Sequence, residues 1–358
     1  MRGLVGFRLL ALVAIIPLAA GAAPPVAMMA WERTQIRAEV AVSGYDVSPD
    51  GGTVAIGVCR NDGACLIAMH GPAGSKVLRP PDSVSWREPR FIDGHSLLVL
   101  AVPADRGAWS SERTALVRID VRTGRSSLLL EAGFVSSATF ASGDLCFAEA
   151  TGGVDLPLAP GPQKKPVRFA MFCAAADGSG RRRLGAPVFD SVADLTPAPG
   201  LGLVFNGMAS SYGGQTINFA VASSGGPPAD TLMAVDLRSG VVQPLASRQP
   251  GLAWFAGQDP GGAPLVGRSA DKVWRRPLRS RASTLSPLSS GKVLARTTGM
   301  RPGVIRTAPG GGRGLLLLND AGHAPDWFDL AWIDHRTGVI TRDAPLTAVV
   351  LSAWQSSR

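Results

Sequence analysis

The chain has 358 residues, 46% hydrophobic and 18% charged, with a formal net charge of +9. That length supports one large core or two ordinary domains. The basic balance does not by itself name a polyanionic partner. Its clusters, Lys164 with Lys165, Arg181 with Arg182 and Arg183, and Arg275 with Arg276, Arg279 and Arg281, are short, sit beside turns and carry no aromatic ladder. A solvated surface is the simpler reading, and no nucleic-acid partner is expected.

Residues 1–22 read as a secretory signal. Arg2 and Arg8 flank its start, an uncharged apolar run covers 9–20, and Ala20-Gly21-Ala22 offers an A-x-A cleavage site. The run is short for a membrane span, and no cysteine follows it, which argues against a lipoprotein. An uncleaved anchor is the alternative, because Pro24, Pro25 and the apolar VAMMAW blur the end. No second apolar stretch is long enough to cross a bilayer. A periplasmic or secreted protein of a Gram-negative-type bacterium, without stable membrane insertion and monomeric, is expected. Residues 23–40 follow as an N-terminal segment and a candidate ring-closure strand.

From residue 41 onward the pattern is short apolar alternation broken by Gly, Pro, Asp and Ser, which predicts an all-β chain. One feature recurs. YDVSPDGGTVAIGV (45–58) is a strand, a tight turn and a strand, and FIDGHSLLVLAV, FASGDLCFAEA, TPAPGLGLVFNG, QDPGGAPLVGR and TAPGGGRGLLLLND repeat it. Proline sets φ at the corner, aspartate bonds back to the backbone and glycine takes the positive φ. Between these copies lies a second feature. ALVRIDVRTGRSSLLL (115–130), TLMAVDLRSGVVQPLA (231–246) and LAWIDHRTGVITRDAP (330–345) each pass from a strand ending in Asp through Arg-Thr/Ser-Gly to another strand. Shorter or degraded versions occupy the other repeats. Each repeat thus holds four strands, and six such repeats predict a β-propeller over 41–346. Residues 347–358 are expected as a closure strand or tail. A seventh blade built from both ends stays open, as does a β-sandwich with coincidental turns.

The four cysteines fit an oxidising compartment. Cys59 and Cys65 flank the hairpin signal Asn61-Asp62-Gly63, and Cys146 and Cys173 face each other across a hairpin with a long tip, so local pairing Cys59–Cys65 and Cys146–Cys173 is expected. A four-cysteine metal site is disfavoured by the spacing.

YDVSPDGGTVAIGV followed by LVRIDVRTGR resembles the TolB-type propeller repeat. The same repeat forms the N-terminal propeller of prolyl-oligopeptidase-like serine peptidases, including isopeptidases that open lasso peptides. The resemblance covers about residues 41–345 and implies a propeller, but no single activity. Those peptidases add a hydrolase domain with a G-x-S-x-G elbow. No serine here has that context.

No catalytic motif, metal-ligand cluster or cofactor site stands out. His70, His95 and His335 fall in turns and read as surface residues; His323, with Asp320, Asp326 and Asp329 in one loop beside Trp327, is the one candidate for metal or proton chemistry. The innermost strands offer only Asp46, Glu88, Arg90, Asp194 and Arg306 as ionisable groups. Two crossings between second and third strands, 150–169 and 206–230, exceed what blade geometry needs, a shorter one, 103–113, lies between the same two strands of blade 2, and together they carry Trp109, Lys164, Lys165 and Tyr212. This predicts a non-catalytic propeller that binds a protein or peptide through one loop-bearing rim. The alternative is a lyase or hydrolase working in the central channel.

Overall fold

The computed structural model describes residues 39–60, 64–104, 113–151, 168–185, 188–189, 191–208, 231–245, 252–269, 282–298, 300–320 and 328–356. They form six antiparallel sheets, each drawn from one continuous stretch of chain. Blade 1 is β1 (Val40–Val47), β2 (Val54–Arg60), β3 (Cys65–Gly71) and β4 (Gly74–Leu78). Blade 2 is β5 (Val84–Asp93), β6 (Ser96–Pro103), β7 (Thr114–Asp120) and β8 (Ser126–Ala132). Blade 3 is β9 (Val135–Ala141), β10 (Asp144–Ala150), β11 (Phe169–Ala174) and β12 (Arg182–Arg183). Blade 4 is β13 (Ser191–Ala198), β14 (Gly202–Met208), β15 (Thr231–Val235) and β16 (Val242–Pro244). Blade 5 is β17 (Leu252–Gln258), β18 (Pro264–Ser269), β19 (Ala282–Pro287) and β20 (Ala295–Thr298). Blade 6 has its inner strand split into β21 (Met300–Pro302) and β22 (Arg306–Thr307), then β23 (Arg313–Asp320), β24 (Phe328–Asp334) and β25 (Ile340–Arg342). Successive blades pack side by side and β22 meets β1, so the ring closes as a six-bladed propeller.

The burial pattern follows from this stacking. Strands β2, β6 and β10 are buried on both faces because a neighbouring blade covers each side, and they are correspondingly mostly apolar. The outer strands β4, β8 and β12 are largely exposed and short or polar, which protects the sheet edges.

The repeated Asp-x-Arg-Thr/Ser-Gly motif closes the outer hairpins. The Asp120, Asp236 and Asp334 carboxylates each accept from the backbone N–H and hydroxyl of Thr123, Ser239 or Thr337, at 2.6–2.9 Å. Those bonds hold all three carboxyls below the usual range. The motif's glycine does a second job. Gly338 has φ +71°, and a Cβ there would lie 1.7 Å from the Leu294 carbonyl oxygen of blade 5. The turn of one blade therefore docks on its neighbour only with glycine in place.

Both expected disulfides are present, Cys59–Cys65 and Cys146–Cys173, each joining directly opposed residues of the second and third strands. The C-terminus departs from expectation. In place of a closure strand or tail, Ala344–Gln355 form a helix, α1. Asp343 caps it by accepting from Leu346 N–H at 2.8 Å, and Pro345 sits in its first turn, where no N–H is needed. Leu346, Val350, Leu351 and Trp354 then fall on one buried face at helical spacing. That face packs on β2, β3 and β4 of blade 1 and on β24 of blade 6.

Candidate functional site: the charged junction across the channel

Two inner strands carry a bulge at an acidic residue. In β5 the register shifts between Arg87 and Arg90, and in β13 between Ala193 and Thr196. Glu88 and Asp194 occupy these bulges at φ +48° and +60°, in the left-handed region that non-glycine residues rarely adopt. A bulge re-aims a side chain, and here it serves a junction between blades that are not neighbours.

Asp194 belongs to blade 4, Arg90 to blade 2 and Arg306 to blade 6, which alternate around the ring. Arg306 Nη2 donates to Asp194 Oδ1 at 3.2 Å, and Arg90 Nη2 lies 3.8 Å from the same oxygen. Arg306 Nη1 also donates to Thr196 Oγ1 at 2.9 Å. Blade 1 joins through its backbone and Asp46: Arg90 Nη1 donates to the Tyr45 carbonyl at 2.9 Å, and Phe91 N–H donates to Asp46 Oδ2 at 2.8 Å. Side chains from blades 2, 4 and 6 meet at one carboxylate, so the channel is crossed at this level.

Burial dominates the electrostatics. It pushes the Glu88 carboxyl up to about 7, with Arg90 opposing the shift and Asp194 reinforcing it. Burial also lowers Arg87 to about 10 and holds Arg306 below the ordinary guanidinium value, helped there by the like charge of Arg90. Tyr45 is pushed up to about 12, chiefly by burial, and remains a neutral phenol. Its hydroxyl donates to Val304 O at 2.5 Å and accepts from Leu317 N–H at 3.0 Å, filling the break between β21 and β22. Chemically, the junction is a set of guanidiniums and carboxylates held by one another and by backbone, with Glu88 the group that titrates near neutrality.

The five ionisable residues expected on inner strands, Asp46, Glu88, Arg90, Asp194 and Arg306, are thus brought together. Arg87 and Tyr45 join them unannounced. Arg87 is buried within the Trp86-Arg87-Glu88 run, and Tyr45 reads from sequence as an ordinary strand aromatic. Trp109, Lys164, Lys165 and Tyr212 lie outside the described residues, as does His323. Asp329, expected beside His323, pairs with Arg342 at 3.4 Å. His335 is half-buried, where a surface turn residue was expected. Its Nε2 meets Thr307 Oγ1 at 2.9 Å, and desolvation lowers its pKa. Among the described residues no three His, Cys, Asp or Glu side chains are disposed to hold a metal, and no helix is long and apolar enough to cross a membrane.

No protein-family model matches the sequence, and no curated protein matches it. Solved structures do resemble the fold. TolB from Acinetobacter baumannii superposes with a TM-score of 0.54 at 12% identity over 82% of this chain and 64% of that one. An oligogalacturonate lyase in complex with manganese gives 0.53 at 11% identity, covering 85% and 78%. The β-propeller domain of the Trilobed protease from Pyrococcus furiosus, described as having an open velcro topology, gives 0.50 at 12% identity over 84% and 83%. At these identities the likeness is one of fold: this chain shares the six-bladed propeller of TolB and of peptidase propeller domains.

Proposed function

We propose that the protein is an exported, non-catalytic propeller that binds a protein or peptide partner through the rim formed by its second-to-third-strand crossings. The observation that carries this reading is the channel junction. Asp194, Arg90 and Arg306 meet across the channel, and Asp46 and Thr196 are engaged with groups from a neighbouring and an alternate blade respectively. Inner-strand groups that a channel enzyme would need for substrate are occupied in tying blades together. Binding at a rim leaves that junction intact. The up-and-down path of each blade sends every second-to-third-strand crossing to the same end, so Trp109, Lys164, Lys165 and Tyr212 share one rim in this reading. An aromatic-plus-cation mix of that kind suits a protein interface. Two disulfides suit an oxidising compartment, and the TolB likeness is consistent with protein partners.

The test is a comparative pull-down from periplasmic extract, followed by affinity measurement with the identified partner. Trp109→Ala with Tyr212→Ala, or deletion of residues 152–163, is expected to weaken binding, each aromatic by about 1–3 kcal/mol. Thr196→Val, in the channel wall, is expected to leave affinity unchanged. Undiminished binding by the rim variants would overturn the assignment.

A further inference from the structure

His335 departs from its own repeat. In the sister turns of blades 2 and 4 the residue after the aspartate is Val121 or Leu237, each packed against its blade's core. Blade 6 places a histidine there on the same backbone: His335 N–H donates to Gly312 O at 3.0 Å, as Val121 N–H does to His95 O at 2.8 Å. The ring lies against Gly314, where a Cβ would come 3.0 Å from Nε2. It thereby reaches the seam between blades 5 and 6. Ile305 N–H of blade 6 crosses that seam to Ala256 O at 2.8 Å, and the Thr307 hydroxyl crosses it to Gln258 O at 3.1 Å.

These hydrogen bonds fix the tautomer. A threonine hydroxyl has one proton, and Thr307 gives it to the Gln258 carbonyl. Towards His335 Nε2, 2.9 Å away, the hydroxyl can then only accept, so Nε2 carries the ring proton. Nδ1 is left as a bare lone pair, buried and without a partner among the described residues. The other tautomer would bury an N–H with no acceptor and draw the Thr307 proton away from blade 5, which is costlier on both counts. A second proton can enter the ring only at Nδ1, where it also meets no acceptor.

We propose that His335 is an acid-sensitive latch between blades 5 and 6: the neutral ring ties the outer turn of blade 6 through Thr307 to blade 5, and protonation at Nδ1 releases that tie. The charged groups around the ring do not hold the cation in place. Asp334 of its own turn accepts from Arg336 and Thr337 N–H, Asp259 of the β17–β18 turn accepts from Gly261 and Ala263 N–H, and neither accepts from the ring. On the strands beneath, Arg306 is turned to Asp194 and Arg313 lies over Trp332. Desolvation outweighs the two carboxylates and lowers the ring's pKa from its ordinary 6.5. The closed seam therefore binds fewer protons than the open one, so the latch contributes fully above 6.5 and its contribution is lost as the pH falls. The latch lies at the end of the ring opposite the second-to-third-strand crossings and stands independently of the rim reading.

The experiment is a pH titration of the folded protein between about pH 7.5 and about pH 5. Nitrogen-15 NMR reads the His335 ring, and hydrogen exchange, corrected for its intrinsic pH dependence, reads protection at the Ile305 amide. The ring is expected as the Nε2–H tautomer at neutral pH and should titrate below 6.5. Ile305 should lose protection as it does, while Phe169 and Phe189 at the seam between blades 3 and 4 keep theirs. Linkage ties the two readings together: each unit by which the ring titrates below 6.5 should appear as about a tenfold loss of protection at acid pH. His335→Leu, which places the blade 4 residue in blade 6, should hold Ile305 protection constant across the range. Thr307→Val should remove the tie at both pH values, and Thr307→Ser should restore the pH response. Four results would overturn the proposal: the Nδ1–H tautomer at neutral pH, titration at or above 6.5, unchanged Ile305 protection once the ring is charged, or the same acid loss in His335→Leu. The first three are read on the unaltered protein, so they decide the matter even where a variant does not fold.

Discussion

Two of the ring's seams solve the same packing problem with different means. Between blades 3 and 4 the chain itself crosses the seam. Phe189, on the connecting segment, exchanges both backbone hydrogen bonds with Phe169 and packs edge-on against Phe205 with centroids 5.2 Å apart. Leu195 N–H of blade 4 then donates to Ser137 Oγ of blade 3 at 3.1 Å. Between blades 6 and 1, among the described residues, no connecting segment crosses the seam and no strand is exchanged. Helix α1 wedges Leu346, Val350, Leu351 and Trp354 against Ile56, Leu66, Leu315 and Leu330, and Arg79 fastens the helix end through Ser356 O at 2.7 Å. Tyr45 completes the broken inner ladder of blade 6. A seam inside the chain is held by continuity and needs only complementary cores. Among the described residues the seam between the ends is held through side chains, so it is where the ring should open first.

The largest effect is therefore expected at Trp354. Trp354→Ala removes a buried aromatic from the terminal seam and should cost about 3–5 kcal/mol. Phe189→Ala should cost a similar amount at the internal seam. The distribution of the damage should differ. Hydrogen exchange in Trp354→Ala is expected to rise selectively in blades 1 and 6, through partial opening below the global transition. Phe189→Ala should lower protection across the ring together. Uniform loss of protection in both variants would erase the distinction between the seams.

The disulfides extend the comparison to the blades' interiors. Cys59–Cys65 closes a sequence separation of 6 and Cys146–Cys173 one of 27. In the chain-entropy account, replacing each pair by alanines should cost about 2 and about 3.5 kcal/mol respectively. The longer bridge ties the base of blade 3, beside the internal seam, and the shorter one pins blade 1, beside the terminal seam. Denaturant midpoints of the two double variants check the order. A larger loss from the Cys59–Cys65 pair would mean that local weakness at the terminal seam outweighs loop length.

Much of this architecture is legible in the residues. The Asp-x-Arg-Thr/Ser-Gly turns and the Pro-Asp-Gly corners encode local hydrogen bonds, so they mark hairpins wherever they occur, and the cysteine spacing follows from the same hairpins. The helix is less legible. TAVVLSAW is rich in β-branched and aromatic residues, which favour strands. The available signal was Asp343 followed by Pro345, with apolar residues at 346, 350, 351 and 354. The inner-strand charges were identifiable one by one, but their convergence was not, because Arg90, Asp194 and Arg306 meet only once the ring is closed. Nothing in WREPRF or VADLTP announces a left-handed glutamate or aspartate; the bulges are imposed by register against β6 and β14.

The smallest expected effect probes how the terminal seam is tied to its own blade. Asp343 does two things with two oxygens: Oδ1 caps α1 at Leu346 N–H, and Oδ2 accepts from Trp332 Nε1 at 2.9 Å. Asp343→Ala loses both and should cost about 1–2 kcal/mol, the usual penalty for a lost cap. Asp343→Asn has one acceptor oxygen and one NH₂ donor, so it can satisfy the helix N–H or the indole N–H, but not both. If capping is what matters, Asp343→Asn should keep near-normal stability while Trp332 fluorescence shifts on losing its partner. If the indole bond anchors the helix, the asparagine variant should fall to the level of alanine. In either case exchange should increase around α1, β2, β3 and β24 and stay unchanged at Phe169 and Phe189, since the internal seam does not depend on the helix. Increased exchange at those two phenylalanines would mean that the two seams open as one unit and that chain continuity adds nothing to the internal seam.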